Sequence, residues 1–134
     1  MPLSSRDFQR AAKQRLTTAE FLLRHGYALD AMYLGGYAVE CTLKALILEV
    51  TPVSEREDVR QRISSGAKMH SAEVLGQILK GRSRPIPLDL VKRFRRCGWS
   101  TALRYESGHV DRGETRGFLK TAKRVVDWVE GQLP

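Results

Sequence analysis

The chain has 134 residues, 42% of them hydrophobic and 28% charged, with 5 Pro and 11 Gly. That length is one domain able to bury roughly two-thirds of its unfolded surface, and the composition excludes a disordered tail or a fibre. The formal net charge is +8, but residues 1–67 carry 9 Lys+Arg against 8 Asp+Glu, whereas residues 68–134 carry 14 against 7.

From Ser5, residues Phe8, Ala12, Leu16, Ala19 and Leu23 recur at steps of three and four, the apolar stripe of an amphipathic helix. Ser4 or Ser5 can cap it, Asp7 suits its positive end, and Gly26 stops it. The next segment, Leu29 to Val50, carries two stripes side by side: Met32, Gly36, Val39, Leu43 and Leu46, and Leu34, Ala38, Cys41, Ala45 and Leu48. A helix apolar on two sides is a central helix. Gly35 and Gly36 are costly in its interior and predict the close approach of another helix. Thr51-Pro52 ends it.

Ser54 and Glu57 have the spacing of a capping box for a short charged helix to Ile63. Ser71 to Lys80 reads as a helix closed by Gly81, followed by a loop over 82–87 broken by Pro85 and Pro87. Leu88, Val91 and Phe94 begin another helix, with Pro87 suited to its first position and Gly98 interrupting it before Trp99. Asp111 and Glu114 form a cap for the last helix, whose Phe118, Ala122, Val125, Val129 and Leu133 face inward. No alternating strand pattern competes. The expectation is a single all-α domain over residues 1–134, an antiparallel bundle of about five helices.

No run reaches the roughly eighteen apolar residues of a membrane span, and the charged first fifteen residues lack the core of a signal peptide. Cys41 and Cys97 have neither CxxC nor Cys/His zinc spacing, so free cytoplasmic thiols are expected, with no metal or cofactor. The positive field is densest where Lys80, Arg82, Arg84, Lys92, Arg93, Arg95 and Arg96 are opposed locally only by Asp89. Such a run is commonly a solvated helix face. A field of this density also suits a polyanion, nucleic acid first, with Arg95 and Arg96 as candidate phosphate contacts.

Two segments carry a family resemblance. Tyr33-Leu-Gly-Gly-Tyr-Ala-Val-Glu-Cys-Thr-Leu-Lys-Ala-Leu46 resembles the second helix of HEPN domains, small helical modules named for higher-eukaryote and prokaryote nucleotide binding. Trp99-Ser-Thr-Ala-Leu-Arg-Tyr105, followed after a loop by Phe118 to Trp128, resembles the end of the same domain. The resemblance implies an antiparallel helical bundle that forms a homodimer. It also implies a minimal nucleotidyltransferase partner, as toxin and antitoxin or as a two-part enzyme. Active members are metal-independent endoribonucleases marked by an Arg, four to six residues, then a His.

Arg104-Tyr-Glu-Ser-Gly-His109 has that spacing. A His titrating near neutrality can move a proton at a ribose 2′-hydroxyl or a leaving 5′-oxygen, and an Arg fork can hold the phosphate. Tyr105 replaces the small polar residue that often follows the Arg, and family analogy makes it a candidate acceptor of a transferred nucleotide. Glu40 and Lys44 stand four apart on the flank of Tyr33 and Tyr37. They fit an intrahelical ion pair beside packed tyrosines; the resemblance to HEPN domains implies instead a cleft-facing flank where the acid orients the Arg and the lysine meets phosphate. His70 is expected at a cap or on the surface, and His25 at a helix end. Two functions follow from the resemblance: a ribonuclease using Arg104 and His109, or a non-catalytic module that binds a nucleotidyltransferase, a nucleotide or RNA.

Overall fold

A computed structural model describes residues 3–97 and 110–134. Among them are six α-helices: α1 (Ser5–Arg24), α2 (Ala28–Val50), α3 (Arg56–Ile63), α4 (Ala72–Gly81), α5 (Leu88–Arg96) and α6 (Arg112–Gln132). The six exceed the expected five or so by one, and the described residues hold no strand.

Local signals explain most helix ends. Ser4 caps α1 with a full capping box: Asp7 N–H donates to Ser4 Oγ, and Ser4 N–H donates to Asp7 Oδ2 at 2.8 Å. That backbone bond, then Arg10, hold the Asp7 carboxyl at a pKa of about 2. Its contribution to stability is therefore complete above the ordinary carboxylate range and lost only as pH falls through about 2. Gly26, at φ +88°, closes α1, and Tyr27 N–H reaches back to the Leu22 carbonyl at 2.9 Å.

Elsewhere the ends differ from expectation. The Ser54/Glu57 box does not form, because a 3-10 turn over Val53–Glu55 closes on the Pro52 carbonyl and α3 starts only at Arg56. Gly81 is the last residue of α4, and Ser83 takes the left-handed position at φ +63°. The Arg84 and Ser83 amides then reach back to Leu79 and Lys80, satisfying the final carbonyls. A side chain in that conformation is strained, so Ser83→Gly is expected to stabilise the protein by about 0.5–1 kcal/mol. An unchanged or lower urea midpoint would contradict this. Pro87 precedes α5 as its cap rather than opening it, and the helix is phased so that Leu90 is buried while Leu88 stays 65% exposed.

Three long helices form the body. α2 is central, with 14 of its 23 residues buried. It is long and apolar enough to cross a membrane by composition, yet 78% of its most apolar window is buried within the bundle, as a core helix requires. α1 runs antiparallel to α2: Ser5 Oγ donates to Glu49 at one end, and Thr42 Oγ1 donates to Gln9 Oε1 at 2.6 Å farther along. α6 is antiparallel to α1, held by Arg6 and Lys13 on Glu130. Those two cations, Lys13 foremost, lower the pKa of Glu130, so this junction is held above the carboxylate range and weakens in acid. Gln9, 1% exposed, links all three helices by also donating to the Val126 carbonyl at 3.3 Å.

α6 packs closely on α2 where glycine permits it. A β-carbon on Gly35 would stand 2.5 Å from Leu119 Cδ2 and 3.1 Å from Phe118 Cε2. The expected close approach is real. The shorter helices α3, α4 and α5 bury Val59, Ile63, Leu75, Leu79 and Leu90 against Leu43, Leu46, Ile47 and Val129. Phe94 of α5 contacts both this cluster and the one around Phe118. All five inward positions expected on α6 are buried.

Candidate functional site

One face of α2 collects polar groups. Tyr33, Tyr37, Glu40 and Lys44 follow one another at steps of four, three and four, the spacing that lines side chains along one flank. Tyr33 and Tyr37 meet edge to face with centroids 4.9 Å apart and hydroxyls 3.2 Å apart. One turn on, Lys44 Nζ lies 2.9 Å from Glu40 Oε2, with the two side chains only 6% and 7% exposed. This is a buried ion pair, and burial changes its energetics from the few tenths of a kcal/mol of a surface i,i+4 pair.

His70 completes the cluster. Its Nδ1 is 3.1 Å from Glu40 Oε1, and its ring meets Tyr37 edge to face at 6.3 Å. Both Glu40 oxygens are thus engaged, one by Lys44 and the other by His70. The side chain remains 42% exposed, so part of the imidazole is open to solvent. His70 does not cap α4: that role belongs to Ser71, whose Oγ accepts from Val74 N–H at 3.3 Å. The chain places His70 over α2 because the 3-10 turn over Ala67–His70 delivers it directly before the Ser71 cap. Sequence spacing links Glu40 to Lys44 but cannot reveal a partner thirty residues away.

Arg95 and Arg96 sit on α5. Arg95 reaches Glu73 of α4 at 2.7 Å, and Arg96 is exposed. Arg104, Tyr105 and His109 lie outside the described residues, as does Trp99. Trp128 packs half-buried against the core. His25 caps the end of α1, its Nδ1 2.9 Å from the Phe21 carbonyl, and stacks on the Phe21 ring.

Neither cysteine is activated. Burial pushes the Cys41 thiol up, and burial followed by the nearby Glu114 carboxylate does the same for Cys97. Among the described residues no three His, Cys, Asp or Glu side chains converge as metal ligands would. What the α2 face offers is an imidazole held by a buried carboxylate whose charge a lysine balances. That arrangement fixes ring orientation, as second groups do for functional histidines.

Neither a curated protein nor a solved structure matches the chain. The family model of the HEPN domain matches residues 5–132, from the start of α1 to the end of α6. The all-helical architecture agrees with that match, and this chain belongs to the HEPN domain family.

Proposed function

We propose that this protein is the HEPN component of a HEPN/nucleotidyltransferase pair of toxin–antitoxin type, acting in the cytoplasm as a metal-independent endoribonuclease. The observation that carries the reading is the Arg104-x4-His109 spacing in a chain of this family. The excess of cations after residue 67 supports it, since RNA is attracted by such a field. In the reaction, a His109 imidazole takes the proton of a ribose 2′-hydroxyl as O2′ bonds to phosphorus. Arg104 stabilises the charge gathering on the phosphoryl oxygens, and the P–O5′ bond breaks with a proton delivered to O5′. The products are a 2′,3′-cyclic phosphate and a 5′-hydroxyl. A homodimer supplies two copies of the motif to one cleft, so one imidazole accepts a proton while the other donates one.

The test is cleavage of several RNAs by wild type, Arg104→Ala and His109→Ala, with chelator present and folding and dimerisation verified. Wild type is expected to leave cyclic phosphate ends, and each variant to lose about 10²–10⁴-fold in rate. Full activity in His109→Ala would end this mechanism. Mass addition at Tyr105 after coexpression with a minimal nucleotidyltransferase would support the pairing, and its absence would count against it.

A specific observation favours a second reading, a non-catalytic module that binds the nucleotidyltransferase, a nucleotide or RNA. Glu40 is buried and already engaged at both oxygens within the α2 face, by Lys44 and His70, which accounts for the group as a structural ion pair. Absence of cleavage by folded dimeric wild type would select this reading.

A further inference from the structure

Most of the cations of the C-terminal half lie exposed on two neighbouring helices. α5 and α6 pack antiparallel, in a register marked by two contacts, Asp89 with Arg124 and the Phe94 ring 5.5 Å from the Phe118 ring. With Leu90 buried and Phe94 and Cys97 turned inward, α5 presents Lys92, Arg93 and Arg96 to solvent. With Thr115, Phe118, Leu119, Ala122, Val125 and Val126 buried, α6 presents Arg116, Lys120 and Arg124 at steps of four. The α5 run is legible as a cluster of letters, but the α6 row is hidden among the core positions between its members.

The two rows meet at Arg124, 3.5 Å from Asp89, the carboxylate that stands between them. Among the described residues, Lys92, Arg93, Arg96, Arg116 and Lys120 have no carboxylate partner, whereas the cations of α1 and α3 are largely neutralised, as Arg10 by Asp7 and Arg62 by Asp58. Along α6 the step is about 6 Å, four residues at about 1.5 Å each. Across the pair the axes of packed helices stand roughly 8–10 Å apart. No exposed aromatic lies on this described face, since Phe118 is buried and Phe94 and Trp128 are half-buried. The described residues of this face therefore offer no stacking platform of the kind that holds single strands.

From this arrangement we infer that the paired cation rows of α5 and α6 form a docking surface for helical RNA, contacted through its phosphates and independent of base sequence. Two rows of phosphates line the narrow major groove of an A-form helix, and exposed cations on two adjacent helices offer a counter-charge to each row. The major groove of B-DNA is wider, about 12 Å, and sets its phosphate rows farther apart. The choice of RNA as the physiological target rests on the function proposed above, while the surface itself rests on the geometry of α5 and α6. Recognition places a helical segment on α5 and α6 and leaves the choice of cleaved bond to the site itself.

The test uses the full chain and a labelled duplex of 2′-O-methyl RNA, about 20 bp long, which attack by a 2′-oxygen cannot cleave, in a titration against salt. Wild type is expected to bind with a log–log salt slope of several units, set by the number of phosphates neutralised. Arg93→Gln/Arg116→Gln/Lys120→Gln should weaken binding about tenfold to a hundredfold and flatten the slope by about three. A control with equal charge loss elsewhere, Arg10→Gln/Arg15→Gln/Arg62→Gln, should bind as wild type does. All three substituted cations of the first variant are exposed, and thermal unfolding verifies that both variants fold. Unchanged affinity and slope in the α5/α6 variant overturn the surface, even if wild type cleaves RNA. Equal loss in the control variant reduces the effect to net charge and also overturns it. Tighter binding of a single strand or of B-form DNA overturns the assignment to helical RNA. Binding of this duplex by a protein that cleaves none of the unmodified RNAs leaves the surface standing and refutes only the nuclease.

Discussion

Phe118→Ala is expected to cost the fold about 3–5 kcal/mol, one of the two largest losses expected from a single substitution in this chain. The ring is fully buried and holds three helices together: its own α6, α5 through Phe94, and α2 across Gly35. Alanine loses the transfer energy of the ring and leaves a cavity that stiff neighbouring helices cannot close. The converse change, Gly35→Val, crowds the same contact and is expected to cost about 1–3 kcal/mol. Because both act on one space, the double variant should be less destabilised than the two singles added together, by about 0.5–3 kcal/mol. Denaturant unfolding of the four proteins in that cycle measures the coupling. Additive costs would mean that the two positions do not share a contact.

Lys44→Met is expected to be comparably severe, about 3–5 kcal/mol, although it replaces a charge by an apolar side chain of similar length. The substitution leaves the Glu40 carboxylate buried, with only His70 beside it. A charge removed from water and left uncompensated costs far more than the lost ion pair would suggest. Glu40→Gln/Lys44→Met removes both charges and keeps an acceptor for His70, so it should recover more than half of the loss. Chemical unfolding of single and double variants decides the matter. If Lys44→Met lies within about 1 kcal/mol of wild type, the pair is solvated and the α2 face is not a closed electrostatic unit.

The pair also illustrates how far sequence reaches. A separation of four on a helix places Glu40 and Lys44 together, and that much is arithmetic on a period of about 3.6 residues. Whether water reaches them depends on what lies above the helix. The 3-10 turn carrying His70 comes from a different part of the chain, and the fold brings it over Glu40. The spacing of Arg104 and His109 is likewise legible, and so is its agreement with the family. Periodicity cannot say what stands opposite those residues.

Helix ends divide in the same way. Asp111 caps α6 as read, and of the two serines offered for α1 it is Ser4 that caps, with Asp7 closing a box where only a favourable charge was expected; each needs only residues within one turn. The Ser54/Glu57 box fails although its letters are correct, since Pro52 starts a tighter turn that uses the same backbone. Ser83 occupies a left-handed position that a glycine two residues earlier had suggested.

By itself the sequence determined the all-α class, the central place of α2, the close approach at Gly35, the inward face of α6 and the family. All of these follow from local period, local capping or residue size, which act over one or two turns. The tertiary structure alone decided that Glu40 is buried and shared with His70, that Gln9 joins three helices, and that the exposed cations of α5 and α6 lie on helices packed side by side. Those features depend on the register between helices, which is set when apolar faces pack and is not encoded within any single helix.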